Sequence, residues 1–268
     1  NTDTLELITV NPKKQTLTTT AIPRDTLVRV ETKNKVEYTK INAAYALGGP
    51  TEIKKQVHEL LDVPVDYYAL VNMGGLEKTV DAVGGVTVDN PFAFKYEGHT
   101  YPKGKQYLNG SEALGYSRMR YDDPDNDYGR QKRGQQVLLS ALTKVNKSKN
   151  IMQMNSLLDT AKDNVRTDLP LDDLMTLYKN YHGALANTQS DHLQGENATI
   201  DNFSFQIAPN KEMQRLSDNT RQALGLTKVK VNNIQTKMND MQTNWNGYNN
   251  VNYVLPNDAQ VYIPVNKV

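Results

Sequence analysis

The chain has 268 residues, with 31 Lys and Arg against 30 Asp and Glu, a net charge of +1 and no cysteine. A near-neutral chain has no general basic field to hold nucleic acid, so any anion must be bound by a local cluster of Arg or Lys. The lack of cysteine removes disulfides, thiolate metal sites and cysteine nucleophiles. Hydrophobic residues make up 38 % of the chain, enough for a sizeable core in one large domain or two small ones. Tyr is unusually frequent, at 15 against 4 Phe and 1 Trp, and its apolar body and polar tip suit clefts and exposed faces.

In chain order, Leu5 to Val10 reads as a buried strand, Asn11-Pro12-Lys13-Lys14 as a turn and Thr16 to Ile22 as a β-branched strand, together a hairpin. Pro50 is the expected first residue of a helix to Leu61, with Ile53, Val57, Leu60 and Leu61 on one face. Val65 to Val71 reads as a strand and Leu76 to Val83 as a helix stopped by Gly84-Gly85. Val86 to Val88 starts the next strand. Ser111 to Arg120 reads as a short helix, Tyr121 to Tyr128 as an acidic loop, and Arg130 to Val145 as a helix with Val137, Leu138, Ala141 and Leu142 as its apolar face. Met152 to Val165 and Leu171 to Leu185 look helical, the second with Asp172 and Asp173 in its first turn, where the helix dipole favours them. His182 to Asn202 reads as a loop, and Phe203–Ile207, Val229–Val231 and Val261–Val265 as short strands. Alternating strand and helix signals in the first half argue for a layered α/β fold. With no internal repeat and no strong linker, a single domain over 1–268 is expected, its motifs concentrated in 1–145 and its remainder, 146–268, more variable. No apolar run approaches the roughly 18 residues of a membrane span, and no signal peptide is visible.

The densest chemical signal runs from Tyr116 to Gln135. It comprises Tyr116-Ser117-Arg118-Met119-Arg120, the acidic loop, then Gly129-Arg130-Gln131-Lys132-Arg133. Arg118 and Arg120 either alternate in an extended stretch or sit on separate helix faces. Arg130 and Arg133, three apart, are neighbours on one face. Placed at the start of the expected helix they oppose its dipole, an arrangement easier to explain if an anion sits between them. A solvated charge run neutralised by Asp122, Asp123, Asp125 and Asp127 accounts for the pattern as well. Arg24, in Ile22-Pro23-Arg24-Asp25-Thr26, follows a strand end, where α/β sheets bind ligands; a surface ion pair with Asp25 is the plainer alternative. Asp3 precedes the first strand, where a carboxylate suits a hard cation such as Mg²⁺, although a fraying terminal Asp is the commoner case. His58, His99, His182 and His192 are scattered without metal-ligand spacing, and no Ser-His-Asp signature or conventional nucleophile is present.

These segments together resemble the LytR–CpsA–Psr family. The matching pieces, in the family's order, are Thr2-Asp3-Thr4, Ile22-Pro23-Arg24-Asp25-Thr26, Lys40-Ile41-Asn42-Ala43-Ala44-Tyr45-Ala46 and Asp66-Tyr67-Tyr68. They continue with Val80-Asp81-Ala82-Val83-Gly84-Gly85-Val86, Leu108-Asn109-Gly110, Ala113-Leu114-Gly115-Tyr116-Ser117-Arg118-Met119-Arg120 and Asp127-Tyr128-Gly129-Arg130-Gln131-Lys132-Arg133. The resemblance implies an α-β-α sandwich with a central mixed β-sheet. It also implies a Gram-positive enzyme on the outer face of the cell membrane, held by an anchor absent from this chain. Such an enzyme moves wall teichoic acid, capsule or a related polymer from a polyprenyl-pyrophosphate carrier to peptidoglycan through a phosphodiester, with Mg²⁺ as cofactor.

By the same resemblance Asp3 is the metal ligand and Arg24, Arg118, Arg120 and Arg130 hold the pyrophosphate, with Arg133 a further position. The catalytic set is then Arg24, Arg118, Arg120 and Asp3. The lipid lies in an apolar tunnel, lined partly by Val137, Leu138, Ala141 and Leu142. Gly134 stands where the family usually has Gln, and an earlier metal-binding Asp of the family has no counterpart here. Nucleic acid is not an expected partner. Asp25 and Asp127 are candidate general bases. A phosphohydrolase with water as acceptor, and a non-catalytic binder of anionic wall polymer or transcription attenuator, remain alternatives.

Overall fold

The computed structural model describes residues 4–147, 159–160, 162–170, 173, 176, 179–247 and 253–264. In chain order the strands and helices are β1 (Leu5–Asn11), β2 (Thr16–Ile22), β3 (Leu27–Glu31), β4 (Val36–Lys40), α1 (Ile41–Leu61), β5 (Ala69–Val71) and α2 (Met73–Ala82). There follow β6 (Val86–Asn90), β7 (Phe94–Tyr96), β8 (His99–Tyr101), β9 (Gly104–Leu108), α3 (Gly110–Arg118), α4 (Asn126–Lys147) and β10 (Val165–Thr167). A 3-10 turn (His182–Ala186) leads into β11 (Thr188–His192), β12 (Glu196–Ile200), β13 (Phe203–Ile207), α5 (Asn210–Leu224) and α6 (Ile234–Asp240). The fold is mixed α/β. Its hairpins are antiparallel, with parallel bridges at Thr26–Gln206 and Tyr38–Val261, and one sheet has the order β1-β2-β11. Two compact units are present, one from Asn1–Thr9, Thr20–Asp66 and Asp191–Val268, the other from Val10–Thr19 and Tyr67–Ser190.

In the first unit, β3 and β4 pair with Leu27 opposite Lys40, and Val28 and Val30 pack with Val57, Leu60, Leu61, Met213 and Leu216 in one core. Pro50 lies inside α1 rather than at its start, because an eight-residue segment precedes it and the two are joined at Gly49 (φ 66°, ψ −158°). A proline cannot continue the hydrogen-bond ladder of the preceding turn, and glycine is the residue that tolerates the required positive φ.

The second unit is built on the β6–β9 pair, with Val86 opposite Leu108. Its core gathers Val80, Val88, Phe94, Tyr101, Tyr116, Met119 and Val137. The expected stop at Gly84-Gly85 is present, with φ of 74° and 75°. The helix α3 starts on a capping box between Asn109 and Glu112, which satisfies two backbone amides reciprocally. On its other edge β6 is covered by α4. Ser140 Oγ accepts from the Thr87 amide at 2.8 Å, Gln136 Oε1 accepts from the Asp89 amide at 3.2 Å, and Lys144 Nζ donates to the Gly84 carbonyl at 3.0 Å. Four helical residues rise about 6 Å and two strand residues about 6.6 Å, so side chains one turn apart meet alternate strand residues and close the edge without another strand.

Several expectations are corrected. The polar stretch from His182 to Asn202 contains β11 and β12. Thr188–His192 has no apolar face and therefore no period-two signal, and it is fixed by pairing instead. Val65–Val71 shrinks to Ala69–Val71, Val229–Val231 forms no strand, and Val261 makes only an isolated bridge. Most of Met152–Val165 and several residues of Leu171–Leu185 lie outside the described residues.

Gly134 lies inside α4, and a Cβ added there meets nothing within 4 Å. Glycine in a helix interior costs roughly 0.5–1 kcal/mol relative to alanine. Gly134→Ala should therefore stabilise the protein by that amount and raise Tm by about 1–4 °C in calorimetry.

Candidate functional site

In the second unit the chain turns sharply between α3 and α4. The first helix ends at Arg118, and Met119 is extended (φ −55°, ψ 135°). Met119 is buried in the core, so the residues on either side of it face outward. The arginine side chains are 43 % exposed at Arg118 and 41 % at Arg120. Of the two geometries compatible with the sequence, the extended alternation is the one adopted. Arg118 donates to Glu97 Oε1 at 2.7 Å. Glu97 sits with Gly98 in the two-residue β7–β8 turn, both at positive φ (46° and 80°), the conformation of a tight hairpin turn.

Arg120 and Arg130 converge on a single carboxylate. Arg130 donates to both oxygens of Asp127, from Nε at 2.9 Å and from Nη2 at 3.3 Å, and Gln131 Nε2 donates at 3.0 Å. Arg120 Nε stands 3.6 Å from the same carboxylate. Burial opposes charge on Asp127, but the hydrogen bonds from Arg130 and Gln131 and the charge of Arg120 outweigh it and hold its pKa below the usual range. Asp127 thus draws two arginines together as an anion. Two guanidinium groups thus face one carboxylate.

Arg133 holds the turn from beneath. Its side chain is 2 % exposed, and each guanidinium nitrogen donates: Nε to the Tyr116 carbonyl at 2.9 Å, Nη1 to Asp123, and Nη2 to the Met119 carbonyl. The group also lies over the Phe94 and Tyr116 rings, 5.4 and 5.8 Å from their centroids. The expected place of Arg133 among the pyrophosphate ligands is thus corrected, since no face of its guanidinium is open to a ligand. Gly129 is required here because a side chain would land on the Asp123 carboxylate. The helix α4 starts at Asn126, so Arg130 and Arg133 lie one and two turns inside it. The amides of Asn126, Tyr128 and Gly129 donate to the carbonyls of Asp123 and Asp125. The expected anion site at this helix start is therefore taken up by the chain itself.

In the first unit Arg24 lies in the turn 23–26, where the Thr26 amide donates to the Pro23 carbonyl at 3.0 Å. The first amides of α1 fix this turn: Ile41 donates to the Thr26 carbonyl and Asn42 to the Arg24 carbonyl. Asp25 lies 2.9 Å from Lys40 Nζ and 3.7 Å from Arg24 Nε. Lys40, in the segment Lys40–Ala46, is thus the nearer cation to Asp25, a pairing that the sequence did not signal. Glu97 was missed too, and no local signal links it to Arg118.

Asp3 lies outside the described residues. Among the described residues no group of three or more His, Asp or Glu forms a metal site. Val137 is buried in the core and Ala141 packs against it, so both are committed to packing rather than to a tunnel wall; Leu138 and Leu142 are half-buried. A cavity of about 650 Å³ lies elsewhere on α4, lined among others by Val83, Thr87, Gln136, Leu139, Ser140 and Thr143, and by none of those four residues.

The LytR_cpsA_psr family model matches residues 1–222. The chain is 38 % identical over 226 residues to a polyisoprenyl-teichoic acid–peptidoglycan teichoic acid transferase TagU of Halalkalibacterium halodurans, covering 84 % of this chain and 74 % of that one. Among solved structures it is similar to a transcriptional regulator from Enterococcus faecalis, with TM-score 0.77, 36 % identity and 84 % of each chain covered. It is also similar to TagT bound to LIIa-WTA, with TM-score 0.71, 27 % identity, and 84 % of this chain and 86 % of that one covered.

Removing one partner of a buried ion pair costs about 3–5 kcal/mol, whereas an exposed pair contributes about 1 kcal/mol or less. Asp123→Ala should therefore destabilise strongly and Glu97→Gln barely, as measured by urea denaturation. The folded-state pKa of Asp127 is depressed, so its contribution to stability is present above the unfolded carboxyl pKa of about 4 and is lost as pH falls through the lower folded value. Asp127→Asn should flatten the acid limb of stability below about pH 4.

Proposed function

The chain belongs to the LytR_cpsA_psr family, and from that premise we propose that it is a transferase moving a teichoic acid or related polymer from a polyprenyl-pyrophosphate carrier to peptidoglycan. The observation that carries this reading is the pairing of Arg120 and Arg130 on Asp127, beside the outward-facing Arg118. A pyrophosphate offers more acceptor oxygens than one carboxylate and suits the forked guanidinium donor. It draws Arg120 from its 3.6 Å contact with Asp127 and Arg118 from Glu97, while Arg130 keeps the shared carboxylate in place.

In the transfer step an acceptor sugar hydroxyl oxygen bonds to the phosphorus that carries the polymer. The bond from that phosphorus to the bridging oxygen breaks, and the lipid leaves as polyprenyl monophosphate. The hydroxyl proton passes to solvent. The protein supplies positioning and charge neutralisation, which phosphoryl transfer chiefly requires, and no covalent nucleophile is involved. Mg²⁺, when bound, neutralises phosphate charge, and Asp3 is the residue we assign to it; such an ion takes most of its ligands from phosphate oxygens and water. Leu138 and Leu142 contact the lipid. The domain works on the outer face of a Gram-positive cell membrane, where donor and peptidoglycan meet.

Loss of one preorganised donor to a developing anion costs about 10²–10³ in rate. Arg120→Ala should lower transfer of a labelled lipid-linked polymer to a peptidoglycan oligomer by that factor while the protein stays folded. Label appearing as free phosphomonoester rather than on the oligomer identifies water as the acceptor and overturns the transferase reading. Separately, Mg²⁺ should tighten inorganic pyrophosphate binding in the wild type and not in Asp3→Asn, as read by calorimetry; equal effects in both exclude Asp3 as a ligand.

A further inference from the structure

We propose that Tyr121 and Asp122 form a saccharide-stacking subsite, which receives one pyranose ring of the polymers joined at the arginine site. The proposal rests on the transferase reading above and extends it to two residues that reading leaves unused.

Tyr121 is 90 % exposed. Two other exposed tyrosines are otherwise engaged: the Tyr107 hydroxyl donates to the Gly84 carbonyl with Lys144 over its ring, and the Tyr67 hydroxyl donates to Asp173. The Tyr121 hydroxyl makes no hydrogen bond among the described residues. Its ring has one neighbour of note, the Arg120 guanidinium, 6.0 Å from the ring centroid, a distance at which a cation is drawn to the π face.

A single exposed aromatic residue is unremarkable on a protein surface; the way this one is mounted is what distinguishes it. Tyr121 and Asp122 are the two central residues of a turn closed by the Asp123 amide on the Arg120 carbonyl, 3.3 Å. The base of the turn is rigid. Asp123 is buried against Arg133, its carboxylate also accepts from the Asp125 amide at 2.8 Å, and its carbonyl accepts from the Asn126 amide at 2.9 Å. The turn tip therefore projects an aromatic face and an adjacent carboxylate from a fixed base, one residue from a proposed pyrophosphate ligand. Asp122 is exposed and forms no ion pair among the described residues, whereas Asp123, Asp125 and Asp127 all do.

That pairing matches the chemistry of a hexopyranose. One face of the sugar presents polarised C–H groups, which complement the negative face of an aromatic ring. Its hydroxyl rim donates to a carboxylate, which has only acceptors to offer. A ring already standing free in water keeps its contact surface open until the sugar arrives.

The test uses the full chain and two probes, a GlcNAc–MurNAc oligosaccharide for the acceptor and a lipid-free teichoic-acid linkage disaccharide for the donor. Proton NMR of each sugar with protein should show upfield shifts of pyranose ring protons for at least one probe, and that probe identifies which polymer is held. Tyr121→Ala should abolish the shifts and weaken binding about tenfold. Tyr121→Trp should retain both within about twofold, and Asp122→Asn should weaken binding about threefold. In the transfer assay Tyr121→Ala should raise KM for the same partner far more than it lowers kcat. Binding of either sugar unaffected by Tyr121→Ala, or no upfield shift with either probe, overturns the subsite. A wild type that shows the shifts but transfers nothing overturns the transferase reading instead.

Discussion

The buried ion pair between Arg133 and Asp123 is the contact on which the rest of the site depends. A guanidinium removed from water is tolerable only when its donors and its charge are matched. Here every nitrogen is used, by one carboxylate and two carbonyls, with two aromatic rings beneath. The carbonyls belong to Tyr116 and Met119, the last turn of α3 and its cap, and the carboxylate belongs to the following loop. One side chain of α4 thereby fixes the end of one helix, the turn after it and the approach to the next. Arg118, Arg120, Tyr121 and Asp122 all project from the segment so fixed, and Arg130 lies one turn back along the same helix. Gly129 keeps the pair intact by leaving room for the Asp123 carboxylate.

Around this buried arginine the charges divide into two kinds. Arg133 and Asp123 satisfy each other out of reach of solvent, and this pair supports structure. Arg118 pairs with the exposed Glu97, a contact that contributes little, and Arg120 is itself exposed and stands 3.6 Å from the half-buried Asp127. Arg130 stands between these extremes, nearly buried and bound to Asp127 through two nitrogens. The placement of each arginine between core and solvent, rather than its identity, separates the exposed arginines from the buried structural one.

Much of the frame was legible in the sequence. The β1–β2 hairpin, the stop at Gly84-Gly85, the helix before Arg120 and the strand Phe203–Ile207 rest on local periodicity and turn chemistry, and each is present. The motifs from Thr2 to Arg133 pointed to the family to which the chain belongs. What the sequence did not reveal was non-local. Strand β11 is polar along its length and is fixed only by pairing. The role of Arg133 depends on Tyr116, Met119 and Asp123 meeting it, and spacing alone made it look like a partner of Arg130 for an anion. Glu97 reaches Arg118 only because a hairpin folds back. The start of α4, four residues before Arg130, was masked by an acidic loop that helix propensity ranks poorly.

The central claim is that the outward arginines exchange carboxylates for a lipid-linked pyrophosphate. A crystal structure of the protein with a short-chain polyprenyl pyrophosphate tests it most directly. The account predicts phosphate oxygens about 2.7–3.1 Å from the guanidinium groups of Arg118, Arg120 and Arg130, with Glu97 released and Arg133 unmoved. A pyrophosphate bound away from these arginines, with Arg118 still on Glu97 and Arg120 still beside Asp127, would contradict it.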